Sequence, residues 1–186
     1  MSAPRIAPLE PPYDPEIAEA LAKWMPPASK VEPLKLFRTL VRSPEIASRL
    51  RVLGAGILGP RSLIAPRDRE IVIHRTAALC GCEYEWGVHA TYYGEAVGLA
   101  PEALRATVTG AADDPVWTER DALLVRLADE LHQTARVSDP LWTALSAQWD
   151  TPRLIELLII AGAYRLIAYV ANGAQVAPEE WAARFP

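Results

Sequence analysis

The sequence predicts an all-α chain of about eight helices behind a proline-rich arm. Apolar residues recur at helical spacing almost throughout, no segment keeps the strict alternation of a half-buried strand, and proline repeatedly falls where a helix would begin. At 186 residues the chain is long enough for one domain with a sizeable core.

Met1 to Pro15 carries five prolines and no apolar run, so it reads as an extended arm rather than a signal peptide, ahead of a single helical domain over 16–186. Pro15 then sits at the first position of a short helix, Glu16 to Met25, which Pro26-Pro27 ends. Pro33 opens a second helix with Leu34, Phe37, Leu40 and Val41 on one face. Ser43-Pro44 restarts the chain as N-cap and first helical residue, and Gly54 and Gly56 predict an irregular end before Gly59-Pro60. Pro66 to Leu79 is the next helix, broken at Gly81 and followed by Glu83 to Ala96. A short helix begins at Pro101. Thr118 and Asp121 have capping-box spacing at the head of a helix running to Arg136. Asp139-Pro140 and Thr151-Pro152 launch the last two. The longest apolar stretch, Leu154 to Val176, contains Glu156 and Arg165, which favours a core helix over a membrane span.

The formal charge of −4, without clustered Lys or Arg, argues against nucleic acid or an anionic membrane as partner. Cytoplasmic location is the expectation. Two cysteines one residue apart, Cys80 and Cys82, exclude a disulfide framework, and three scattered histidines lack the spacing of a metal site.

Chemistry concentrates between Ala78 and His89. Cys82 stands at a helix start, where unpaired amides and the macrodipole lower a thiol's pKa. Glu85 and His89 follow at i+3 and i+7 on the same face, so a thiol, an acid and an imidazole are presented together. Each residue also has a plainer reading: Cys82 as a small buried hydrophobe, Glu85 as a surface acid, His89 as a hydrogen-bonded core histidine. Glu70 lies a little over three turns before Cys82 and could meet this face if the two helices pack antiparallel, or could simply complement its own helix dipole. His74, four residues on, reads as core or rim. Arg67 and Arg69 could clamp a carboxylate or face solvent. Of the aromatic cluster Tyr84, Trp86, Tyr92 and Tyr93, most are core or interface and one or two would line a pocket.

At these residues a resemblance emerges. Arg67-Asp-Arg-Glu-Ile-Val-Ile and Glu83-Tyr-Glu-Trp-Gly-Val-His89, with Pro12-Tyr-Asp-Pro, Leu36-Phe-Arg-Thr-Leu and the helix around Ile155 to Arg165, resemble the carboxymuconolactone decarboxylase and alkylhydroperoxidase D-like family. The resemblance implies an all-α fold whose helical pair carries the site, a homo-oligomer (trimer or hexamer), and a small-molecule substrate without metal or organic cofactor. Peroxidase members use a Glu, a Cys-x-x-Cys pair and a His. Glu70, Cys82 and His89 match three of those positions, while Glu85 replaces the second cysteine and removes the usual disulfide. That replacement favours decarboxylation or a related proton transfer on a carboxylated lactone or similar acid, with His89 as donor beside Glu70 and Glu85. Tyr84, Trp86, Arg67 and His74 are the residues expected to contact substrate. Two alternatives stand: a thiol-dependent alkyl hydroperoxide peroxidase built on Cys82 with a Glu70/His89 relay, and a non-catalytic ligand- or partner-binding oligomer.

Overall fold

The computed structural model describes residues 3–25 and 32–186, and among these there are nine α-helices, one π-helical turn and no strand. The order is α1 (Pro15–Ala22), α2 (Lys35–Leu40), α3 (Pro44–Leu58), α4 (Pro66–Leu79), α5 (Glu83–His89), a π turn (Ala90–Gly94), α6 (Pro101–Thr109), α7 (Glu119–Thr134), α8 (Asp139–Ser146) and α9 (Thr151–Ala174).

Prolines set most helix starts as expected, occupying the first turn of α1, α3, α4, α6, α8 and α9, whereas α2 begins at Lys35, past Pro33, with Leu34 as its N-cap. A proline there loses no intrahelical bond and brings a helical φ with it. α7 has the full capping box: Asp121 N donates to Thr118 Oγ1 at 3.1 Å, and Thr118 N donates back to Asp121 Oδ2 at 3.4 Å. Two expectations shift. α1 stops at Ala22, where Lys23 N and Trp24 N close the end on Ala20 O and Leu21 O, and Trp24 stacks on Phe37 at 4.5 Å. The Pro26-Pro27 stop lies outside the described residues. α3 stays helical through Gly54 and Gly56 to Leu58.

α4 is the central helix. Ten consecutive residues, Asp68 to Ala77, are buried, because α5, α6, α7 and α9 pack around it. A helix buried on every side must pair its own polar groups. Arg75 donates to Asp129 at 2.6 Å and to the Thr107 and Gly110 carbonyls, and Asp68 accepts from Arg120 at 2.7 Å and from the Trp149 indole. The main apolar core joins α4 to α7, α8 and α9 through Ile71, Ile73, Leu124, Leu145, Leu157 and Ile160. Each such side chain contributes about 1.5–3 kcal/mol on burial.

α9 corrects the expectation of a core helix by half. Leu154, Leu157, Ile160, Ala161, Tyr164 and Ala168 face inward, but Ile155, Ile159, Leu166 and Tyr169 are exposed along the opposite side. Its charged residues are satisfied at the protein surface: Glu156 accepts from Leu63 N, and Arg165 donates to the His132 carbonyl and the Tyr169 hydroxyl. The arm (residues 3–14) has no helix and is tied down through its backbone. Arg5 N reaches Ala174 O, Arg42 donates to Ala7 O, and the buried Arg38 donates to Leu9 O.

The connection from α4 to α5 positions the site. Gly81 holds φ +60°, a left-handed conformation that costs a side-chain-bearing residue energy, in the three-residue link Cys80-Gly81-Cys82 that reverses the chain. α5 therefore lies back against α4. Gly87 completes the arrangement, since a Cβ there would collide with the Ala183 carbonyl of the C-terminal segment lying on α5.

Candidate active site

The reversal at Gly81 brings Glu70 of α4 against His89 of α5. His89 Nδ1 donates to Glu70 Oε2 at 2.8 Å, and His89 Nε2 lies 3.3 Å from Glu85 Oε1 one turn earlier. An imidazole is thus held between two carboxylates. Glu70 has no exposed surface and His89 almost none, whereas Glu85 and His89 both line a cavity of about 500 Å³. Glu70 is the inner group and Glu85 the outer one.

The charges follow from that layering. Burial, the largest single influence on His89, pulls its pKa down, but Glu70 and Glu85 together outweigh it and hold the imidazolium at about 9. Burial likewise pushes the Glu70 carboxyl up, and His89, His74 and Arg69 more than reverse this, leaving it lowered. Arg69 Nε lies 3.5 Å from Glu70 Oε1, and Arg69 Nη1 is anchored on the Ile57 carbonyl. His89 is therefore cationic at neutral pH. With Nδ1 committed to Glu70, Nε2 carries the mobile proton.

The cavity walls are apolar, supplied by Phe37, Leu40, Leu50, Leu58 and Ile167 among others. Around His89 the lining changes character. The Tyr93 ring lies 5.1 Å and the Tyr164 ring 5.0 Å from the imidazole, centroid to centroid, and both tyrosines line the cavity. Burial first, then the nearby glutamates, raises the pKa of both phenols, so they stay protonated and able to donate. The expected α-helix to Ala96 instead widens into the π turn after His89, and both Tyr92 and Tyr93 face the cavity. π turns inside helices recur at functional sites.

The other expected residues are placed elsewhere. Cys82 is fully buried among α2 and α9 side chains and does not line the cavity. Its thiol is pushed up to about 12, mainly by burial; the Glu85 and Tyr84 amides at the helix start pull it down, but too weakly. The expectation of a lowered thiol pKa therefore fails, because desolvation exceeds the helix-end field. Tyr84 donates to Glu179 at 2.6 Å and accepts from Leu36 N, a tie between α5, α2 and the C-terminal segment. Trp86 donates to Thr107 and packs edge-on against His74 and Phe185. Arg67 bridges the Gly98 carbonyl and Asp121. His74 donates from Nδ1 to the Glu70 carbonyl at 2.7 Å, and burial followed by the His89 charge depresses its pKa to about 4, so it is neutral. None of these four lines the cavity.

The sequence gives Tyr164 no role, offers Arg69 as a carboxylate clamp or a solvent-facing residue where the structure buries it against Glu70, and does not single out Tyr93 within the aromatic cluster. Tyr93 stands at i+4 from His89 and i+8 from Glu85, a signal the helical wheel carries. Tyr164 is distant in sequence, and no local pattern marks it.

No protein-family model matches the sequence. The uncharacterised protein YnjA of Escherichia coli K12 is 28% identical over 127 residues, 68% of each chain. Among solved structures, an uncharacterised peroxidase-related protein from Silicibacter sp. TM1040 superposes with a TM-score of 0.78 at 14% identity, covering 97% of this chain and 96% of that one. A protein of unknown function from Agrobacterium tumefaciens, a candidate AhpD antioxidant-defence protein, gives 0.65 at 19% identity, covering 75% and 94%. The chain has the all-helical fold of these peroxidase-related and AhpD-like proteins.

Proposed function

We propose that this chain is a cofactor-free acid–base enzyme that decarboxylates, or moves a proton on, a small carboxylated lactone or similar acid. The observation that carries the reading is the buried Glu70–His89–Glu85 array opening onto an apolar cavity that neither Cys80 nor Cys82 lines, with Cys82 fully buried away from it. Loss of carbon dioxide leaves an electron pair on the substrate carbon as an enolate. His89 Nε2 returns a proton to that carbon, Glu70 holds the ring and its charge, and Glu85 carries the replacement proton from solvent to Nε2. Tyr93 and Tyr164 hydroxyls supply donors for the enolate oxygen. His89→Ala should abolish turnover in a screen of carboxylated lactones for carbon dioxide release and solvent deuterium uptake, while Cys82→Ser should keep most of it.

A second reading, thiol-dependent reduction of organic hydroperoxides through Cys82, is favoured by the fold neighbours. Hydroperoxide consumption that requires an added thiol and vanishes in Cys82→Ser would establish it and displace the first. We further propose a homo-oligomer. Ile155, Ile159, Gly162, Leu166 and Tyr169 alternate spacings of four and three along the exposed side of α9, the pattern of a seam between like helices.

A further inference from the structure

The relay occupies one end of the cavity; a cation stands on its wall. Arg51 of α3 lines the cavity, is half-buried, and among the described residues has neither a hydrogen-bond nor a salt-bridge partner. Other arginines drawn into the fold are matched: Arg38 with Glu10, Arg69 with the Ile57 carbonyl and Glu70, Arg75 with Asp129. Lys23, which also lines the cavity, already pairs with Glu19 at 2.7 Å, and the His89 imidazolium is held between Glu70 and Glu85. Arg51 therefore brings an uncompensated positive charge to a cavity whose lining nearby includes Leu50, Leu53, Gly54 and Leu58.

Position and charge say what would meet it. Arg51 precedes Ile57 by six residues, about 9 Å along the helix axis. The Ile57 carbonyl holds Arg69 beside Glu70, so α3 spans from the cation to the level of the relay. At the relay end the His89 charge is already matched by Glu70 and Glu85, which leaves no free cation there to hold a second ligand anion. Arg51 attracts one, and its planar fork fits a carboxylate with two parallel hydrogen bonds.

We propose that Arg51 is the anion anchor of this cavity. The ligand class is an amphipathic acid that keeps one carboxylate on Arg51, fills the chamber with an apolar body, and places its reacting carbon at His89. The inference rests on the acid–base reading for what happens at that carbon, and on the cavity alone for the anchor. Arg51 is a positioning residue that does not touch the reacting atoms.

Octanoate and octanol serve as probes, matched in length and differing in charge, with binding to the intact protein read by titration calorimetry at pH 7. Octanoate should bind at least about tenfold more tightly than octanol. Arg51→Gln should remove that preference while leaving octanol binding within about twofold, which also shows the cavity intact, and Arg51→Lys should restore part of it. Equal binding of the two probes to the wild type, or octanoate binding untouched by Arg51→Gln, overturns the anchor. So does a parallel loss of both probes in the variant. The relay is read separately from the His89 titration of the free protein: a value near 6.5 would sink the acid–base reading and leave an anchor result standing.

Discussion

Replacing Glu70 with Gln removes one charge and keeps the shape of the site, so its effect on His89 can be worked out. The acceptor oxygen lies 2.8 Å from His89 Nδ1. At an effective dielectric of about 20, a charge pair at that separation is worth about 6 kcal/mol, or about 4 pH units of imidazole pKa. Burial opposes the charge throughout, and only Glu85 at 3.3 Å remains to counter it. His89 should therefore fall from about 9 to below about 7 in Glu70→Gln. The Gln carbonyl still accepts from Nδ1, so the ring should stay in place. The assay is an NMR titration of the histidine Cε1–H resonances between pH 4.5 and 10, with His89 assigned by its loss in His89→Gln. His74 serves as an internal reference, since a neutral buried ring should not titrate down to about pH 5. An imidazole still titrating near 9 in Glu70→Gln would refute the reasoning, because the shift would then owe nothing to Glu70.

Three further outcomes are expected. Stability should peak near pH 6.5. His89, with a folded pKa above its unfolded value, stabilises fully below about 6.5 and loses up to about 3 kcal/mol as pH rises through 9. His74, depressed to about 4, loses a comparable amount as pH falls from 6.5 to 4, and urea midpoints that stay flat from 6.5 to 9 would contradict the pairing. Cys82 should resist a thiol reagent in the native protein at pH 8, where a pKa of about 12 leaves about one molecule in ten thousand as thiolate, and should react once guanidinium unfolds the chain. Rapid labelling of Cys82 in a Cys80→Ser background would reverse that assignment. Ile159→Glu, placed in the middle of the exposed α9 stripe, should lower the mass measured by light scattering, and an unchanged mass would move the seam off α9.

Much of this protein was legible in its sequence, because helix starts are local events. Proline at the first position, the Thr118–Asp121 box and the Gly81 reversal each act within a turn of chain, and each lies where it was expected. The i, i+4 spacing of Glu85 and His89 placed both on one face, and both reach the cavity. What distance in sequence conceals was decided by packing. Cys82 has the helix-start setting that favours a thiolate, and its burial among α2 and α9 side chains reverses the outcome, since desolvation depends on neighbours that no local window contains. Tyr84, Trp86, Arg67 and His74 lie beside the site residues in the chain but turn to Glu179, Thr107, Asp121 and a backbone carbonyl instead. Tyr164 arrives from α9 and Arg51 from α3, helices far apart in sequence that close on the same cavity. Local sequence determines which face of a helix a residue occupies; only the assembled fold decides whether that face meets water, apolar side chains or a charge.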